Sequence, residues 1–118
     1  MSIYQEIILH EYKNPRHYGQ LKGNPKVHNV KNVLCGDELT FYADIKKNLI
    51  VNISYVGVGC AISIASASLL TDFIIGKSVG KIDELDKDFV LDLLGIDLSP
   101  NRLKCALLPL EGIQSVIK

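Results

Sequence analysis

The sequence predicts an α+β domain in which a small three-stranded antiparallel sheet is packed by helices. Two observations carry this prediction. Apolar residues alternate with polar ones over residues 39–45, which is the two-residue period of a half-buried strand. After Gly59 the period becomes helical, and only helices are predicted beyond that point. Strands grouped before helices, without a regular strand–helix alternation, are typical of the α+β class.

The first half of the chain is predicted to form one helix and the three strands. The helical spacing of the apolar residues Ile3, Ile7 and Ile8 predicts a helix over Ile3–Lys13. The helix ends before Asn14-Pro15, because a residue that precedes proline is pushed out of the α region. A loop follows, and strands are predicted at 27–33, 39–45 and Leu49–Val58. A turn at residues 46–48 joins the last two strands as a hairpin.

The second half is predicted to form three helices with recognisable ends. They cover residues 61–75, residues 86–94 and the chain from Ser99 onward. Gly76 and Gly95 stop the first two helices, and Asp86 caps the second. Ser99 followed by Pro100 starts the third. The helix over 61–75 is rich in Ala and Ser, and these small residues are expected to let it pack close to the sheet.

The composition fits a single globular domain over residues 1–118. Hydrophobic residues make up 47%, and 13 basic residues balance 13 acidic ones. Nucleic-acid binding usually needs a basic excess, so it is not predicted. Residues 48–71 carry no charge, but glycines and then serines interrupt the run, which is interpreted as a buried strand and a core helix. No membrane span is therefore expected.

The three cysteines are predicted to be reduced thiols in a cytoplasmic protein. Three is an odd number, so a disulfide framework would leave one thiol over. The N-terminus lacks the basic region of a secretory signal. In a reducing compartment, cysteines tend to bind metal or to take part in chemistry.

Each cysteine lies at a position that suits a functional site. Cys35 follows the first strand, and Gly36 permits the turn that lets Cys35 and Asp37 reach one ion. Cys60 starts the Ala- and Ser-rich helix, whose dipole favours a thiolate. Cys105 lies in the last helix and, considered alone, is as well explained as a small buried hydrophobic residue. Together, the three thiols and the carboxylate predict one shared site.

Other polar residues are weaker candidates. His10 lies on a polar helix face and is interpreted as a solvated residue. His17 lies in the predicted loop and His28 where this loop meets the first predicted strand, and a structural role is the simpler interpretation for both. The acidic run 83–88 is interpreted as a solvated face with a helix cap.

The chain resembles the U-type iron–sulfur cluster assembly proteins, the NifU N-terminal/IscU/SufU superfamily. The resemblance covers nearly the whole chain and rests on motifs that occur in the family's order. They are Tyr4-Gln5-Glu6 with Tyr12-Lys13-Asn14-Pro15-Arg16 and Gly19, then Cys35-Gly36-Asp37, then 59–68 with Leu69-Leu70-Thr71-Asp72, and finally Arg102-Leu103-Lys104-Cys105. The fold that it implies is the α+β fold predicted above.

The resemblance implies a metal site, a partner and a role. Cys35, Asp37, Cys60 and Cys105 would converge on a solvent-facing site that holds Zn²⁺ or an iron–sulfur cluster, with [2Fe–2S] favoured over [4Fe–4S]. The usual partner is a PLP-dependent cysteine desulfurase that hands over persulfide sulfur, and downstream apo iron–sulfur proteins are possible recipients. Two functions stay open: a zinc-dependent sulfur relay and a cluster scaffold.

Two features of the sequence indicate different subtypes of the family. Lys104 before Cys105 resembles the SufU type, because scaffold-type members usually carry His at that position. The 44 residues between Cys60 and Cys105 resemble the scaffold type, since SufU-type members usually have a longer segment there.

Cys105 is the predicted sulfur acceptor. Pro109 lacks the N–H group that would bond to the Cys105 carbonyl, so the helix is expected to bend or stop and the turn is expected to move. Arg102 and Lys104 are expected to support the Cys105 thiolate. Cys35, on its loop, is the competing mobile residue.

Two other classes of protein are weighed against this interpretation. A structural zinc module that binds partners would unfold when the metal is lost. A thiol redox enzyme or a cysteine-nucleophile enzyme would want a pair of cysteines separated by two residues, or a histidine paired with a cysteine, and neither pattern is visible.

Overall fold

The computed structural model describes residues 2–118 and confirms the α+β class. In chain order the elements are α1 (Ile3–Lys13), β1 (Lys26–Asn32), β2 (Asp37–Lys46), β3 (Leu49–Val58), α2 (Ala61–Ile74), α3 (Val79–Asp83), α4 (Lys87–Leu94) and α5 (Pro100–Val116). The predicted elements agree with these bounds within two residues.

The three strands form an antiparallel sheet in the order β1-β2-β3. The β2–β3 hairpin turns at Lys47 and Asn48, which have φ angles of 53° and 62°. Both residues are therefore left-handed, as a tight hairpin turn with the twist of its strands requires. Leu39, Phe41 and Ala43 are buried on the inner face, as the alternation predicted.

The helices pack on the inner face of the sheet. α5 lies against β1 and β2, and Gly112 permits this approach, because a Cβ there would lie 2.6 Å from the Phe41 ring. α2 packs mainly between α1 and α5 and contacts the sheet less than its small residues had suggested. Those small residues allow close helix–helix contact: the buried Ser66 Oγ donates to the Ala106 carbonyl of α5 at 2.7 Å.

The buried face of α1 matches the predicted one only in part. Ile8 is buried as expected, but Ile3 and Ile7 are 67% and 40% exposed, and Glu11 is buried. Glu11 is tolerated there because Ser68 Oγ donates to its carboxylate at 2.7 Å. Burial of a charged group requires such partners.

Two features of the helical half were not predicted correctly. The short helix α3 escaped prediction, because its five residues are too few to show a period. α5 continues through Pro109 to Val116, so of the two expected outcomes, a bend or a stop, the stop is wrong. Within residues 2–118, the helices are all too short or too polar to cross a bilayer.

Candidate metal centre

One end of the sheet brings the predicted ligands together. The β1–β2 turn carries Cys35, and Asp37 is the first residue of β2. Glu38 pairs with Val58 at the end of β3, so the chain that leaves β3 reaches Cys60 beside Asp37. Asp37 and Cys60, 23 positions apart in sequence, thereby become neighbours through strand register.

Three of the four predicted ligands form a compact group. Ligand atoms of Cys35, Asp37 and Cys105 all lie within 4.8 Å of one another. The Sγ atoms of Cys35 and Cys105 are 3.3 Å apart. Cys105 and Asp37 are only 2% and 3% exposed, whereas Cys35 is exposed. The group is therefore closed on the core side and open at the β1–β2 turn.

Cys60 lies beside this group as a fourth donor. Its Sγ is 4.0 Å from Asp37 Oδ2, and its backbone N–H donates to Asp37 Oδ1 at 3.0 Å. Cys60 is the N-cap of α2, where backbone N–H groups lack helical acceptors and attract negative charge. The helix end therefore orients the carboxylate toward the thiols.

Burial dominates the chemistry of Cys105. Removal from water raises the pKa of its thiol, and the contacts with Cys35, Asp37 and Cys60 raise that pKa further. The expectation that Arg102 and Lys104 support its thiolate stays a prediction. Both side chains are exposed, whereas the Cys105 thiol is enclosed by other acidic donors.

The donor set fits a soft metal ion. Four ligands around Zn²⁺ with bonds of about 2.3 Å place sulfur atoms ~3.8 Å apart in a tetrahedron. The 3.3 Å between the Sγ atoms of Cys35 and Cys105 is close to this spacing. Thiolates suit Zn²⁺ and iron–sulfur clusters, and the carboxylate is the hardest donor of the set.

The three histidines lie elsewhere. His10 is exposed on α1, His28 is exposed on β1, and His17 Nε2 lies 3.0 Å from Asp72 Oδ1. None of them belongs to the ligand group found in residues 2–118.

Residues 15–19 form a segment, the strap, that helps to hold the elements around the site in place. The sequence analysis did not predict this role. The Arg16 N–H donates to Ser68 Oγ at 2.8 Å, and its side chain contacts both Glu11 and Asp72. The strap thus ties α1 to α2. A charged residue beside Pro15 was the available signal, but two of its partners, Ser68 and Asp72, lie more than fifty residues further along the chain.

Acid is expected to loosen the strap through Asp72. The hydrogen bond with His17, together with the charge of Arg16, lowers the pKa of Asp72. A carboxyl with a lower pKa in the folded state stabilises the fold above its unfolded pKa of about 4. This contribution is lost as the pH falls through the folded pKa.

We expect Asp72→Asn to remove this contribution, which is about 0.2–1 kcal/mol for such an exposed ion pair. Urea unfolding at pH 7 and pH 3 measures it. Asp92→Asn, at an exposed position of α4, is the control. Equal acid dependence in wild type and Asp72→Asn would contradict the prediction.

Comparison with known proteins identifies the family. The family described as "NifU-like N terminal domain" matches residues 3–118. The iron-sulfur cluster assembly scaffold protein IscU 1 of Archaeoglobus fulgidus is 30% identical over 98% of this chain and 74% of its own length. The zinc-dependent sulfurtransferase SufU of Bacillus subtilis is 31% identical over 96% of this chain and 88% of its own.

Solved structures show the same fold. A crystal structure from Fervidobacterium islandicum, described as a putative iron-sulfur cluster assembly scaffold protein for the SUF system, superposes with a TM-score of 0.80 at 29% identity. The superposition covers 96% of this chain and 95% of that one. This chain therefore belongs to the NifU-like N-terminal domain family, as the motifs had suggested.

Proposed function

We propose that this protein takes part in iron–sulfur cluster assembly, in which it accepts sulfur from a PLP-dependent cysteine desulfurase. The observation that carries the proposal is the group of Cys35, Asp37 and Cys105 within 4.8 Å, with the Cys60 thiol 4.0 Å from the Asp37 carboxylate. The protein acts in the cytoplasm, as one domain without nucleic-acid or membrane partners.

Cys35, Asp37, Cys60 and Cys105 would hold the metal. Bound zinc would keep the thiols deprotonated at neutral pH, which offsets the burial that raises the pKa of Cys105. The same donors suit a [2Fe–2S] cluster, with the carboxylate as the donor most easily displaced. Arg102 and Lys104 would lower the negative charge around the site.

The comparisons support both uses of such a site, since one relative is named a scaffold and the other a zinc-dependent sulfurtransferase. Alignment length does not decide between the two uses. The match to the sulfurtransferase runs over 130 positions, but the matches to two further relatives named scaffold proteins run over 133.

Sulfur acceptance is proposed to occur at Cys105. Its thiolate attacks the terminal sulfur of the desulfurase persulfide, a new S–S bond forms, and the desulfurase cysteine leaves as a thiolate. Cys105 is buried beneath the exposed turn that carries Cys35, so this turn must move aside. Val33 and Leu34 on the turn are 87% and 74% exposed, and a partner that binds them would displace it.

Persulfide mapping tests the acceptor. After one turnover with a desulfurase, we expect mass spectrometry to find persulfide on Cys105. Cys105→Ser should abolish sulfur acceptance, because serine has no thiolate, whereas Cys35→Ser should retain it. Persulfide on Cys35 or Cys60, with none on Cys105, would contradict the assignment.

Metal analysis of protein purified without chelator separates the two uses. Colourless protein with zinc supports sulfur relay, and brown protein with iron and sulfide supports a scaffold. A protein that never binds either would contradict the proposed function.

A further inference from the structure

Tyr18 lies outside the ligand set, yet it reaches the backbone that delivers Cys60. Its hydroxyl donates to the Gly57 carbonyl at 2.8 Å and accepts from the Gly57 N–H at 3.1 Å. We propose that Tyr18 is a positioning residue of the metal centre, which holds the turn from Gly57 to Cys60 so that the Cys60 thiol faces Asp37. The proposal rests on the proposed function in that it treats Cys60 and Asp37 as ligands.

Gly57 depends on Tyr18 because β3 is an edge strand. The Tyr55 N–H donates to the His17 carbonyl at 3.2 Å, and the Tyr55 carbonyl accepts from the Gly19 N–H at 2.8 Å. Both Tyr55 groups thus point away from β2. Gly57 lies two residues further along the strand, so its N–H and carbonyl point the same way. The Tyr18 hydroxyl, a side-chain group of the strap, forms hydrogen bonds with both Gly57 groups.

Tyr18 is itself held in place. Its ring packs edge-on against Tyr55, with centroids 5.4 Å apart and planes at 84°. On its N-terminal side, His17 is hydrogen-bonded to Asp72, and the Arg16 N–H is hydrogen-bonded to Ser68. The hydroxyl is therefore a fixed point tied to α2, the same helix that Cys60 caps.

The chain from Gly57 to Cys60 is packed tightly against the protein on its inner side but not on its outer side. A Cβ at Gly59 would overlap Ser63 Oγ and lie 3.4 Å from Asp37 Oδ1, so Gly59 is pressed against the site. On the outer side Val58 is 68% exposed. Tyr18 supplies the outer restraint, three residues before the thiol.

Tyr18→Phe tests the proposal because it removes one oxygen atom and keeps the ring that packs on Tyr55. Tyr42→Phe is the matched control, since Tyr42 is half-buried on the opposite sheet face, away from the cysteines. Both variants are compared with wild type by circular dichroism and thermal unfolding, and both are expected to remain folded.

The first readout is amide hydrogen exchange in chelated protein. In Tyr18→Phe we expect the Gly57 and Cys60 N–H groups to exchange about three- to tenfold faster than in wild type, which corresponds to the loss of a typical hydrogen bond. Amides of α5 should be unchanged. Faster exchange throughout the chain would show a general structural role and overturn the proposal, as would unchanged exchange at Cys60.

The second readout is Co²⁺ binding, in which the sulfur-to-cobalt charge-transfer absorption reports the number of thiolate ligands. We expect Tyr18→Phe to bind Co²⁺ about three- to tenfold more weakly, on the same hydrogen-bond scale, with reduced charge-transfer intensity. Unchanged affinity and spectrum would overturn the proposal. Failure of wild type to bind Co²⁺ would instead count against the proposed metal site, and the exchange experiment would still decide the role of Tyr18.

Discussion

Chelation is expected to leave the protein folded while lowering its free energy of unfolding by about 4 kcal/mol, if free zinc had been a thousand times its Kd. The fold should survive because its core is formed by apolar side chains of the sheet, α2 and α5, such as Phe41, Ile53, Leu70 and Ile113. The metal contributes by binding the native state alone. Denaturant unfolding of zinc-loaded and chelated protein measures the difference.

Cys60→Ser provides the control for this experiment. It removes one proposed ligand but none of the fully buried core side chains, so its chelated form should match chelated wild type. Its response to added zinc should be much smaller. A random-coil circular dichroism spectrum after chelation of wild type would contradict the prediction and favour a structural zinc module.

Gly57→Ala is expected to destabilise the protein by about 3–5 kcal/mol, the sum of backbone strain and overpacking. Gly57 has a φ angle of 142°, which L side chains rarely adopt. A Cβ there would also overlap the Glu38 carbonyl oxygen of the neighbouring strand. The clash is with backbone, so no side-chain rotation can relieve it. Urea unfolding of chelated protein measures the effect on the fold apart from metal binding.

Gly23→Ala separates the two causes. Gly23 also has a positive φ angle, 91°, but a Cβ there would meet nothing within 4 Å. Its substitution should cost only the backbone strain, about 1–2 kcal/mol. Equal losses for Gly57→Ala and Gly23→Ala would show that the contact with Glu38 carries no weight.

Exposure divides the cysteines in a way that bears on sulfur transfer. Cys35 is exposed at the turn, and Cys105 lies 3.3 Å beneath it. The prediction that Cys105 accepts sulfur came from Pro109, but α5 continues through Pro109 without a stop. Access to Cys105 therefore depends on movement of the Cys35 turn, and persulfide mapping decides between the two thiols.

Local patterns predicted the elements well, because their causes are local. The strand alternation around Phe41, the cap at Asp86 and the stop at Gly95 each depend on residues within one or two turns of chain. The grouping of the candidate ligands was also predictable, since the spaced motifs around Cys35, Cys60 and Cys105 are themselves sequence features. Short α3 was missed because five residues cannot display a period.

By itself, then, the sequence determined the fold class, most element bounds and the candidate ligands. Only the tertiary structure decided which side chains are buried and which distant residues they contact. Glu11 is buried because Ser68 and Arg16 reach it from distant positions. The pKa of the Cys105 thiol rises because packing removes it from water and places it beside Cys35, Asp37 and Cys60. Such effects depend on burial and on contacts between residues far apart in the chain, which no local pattern records.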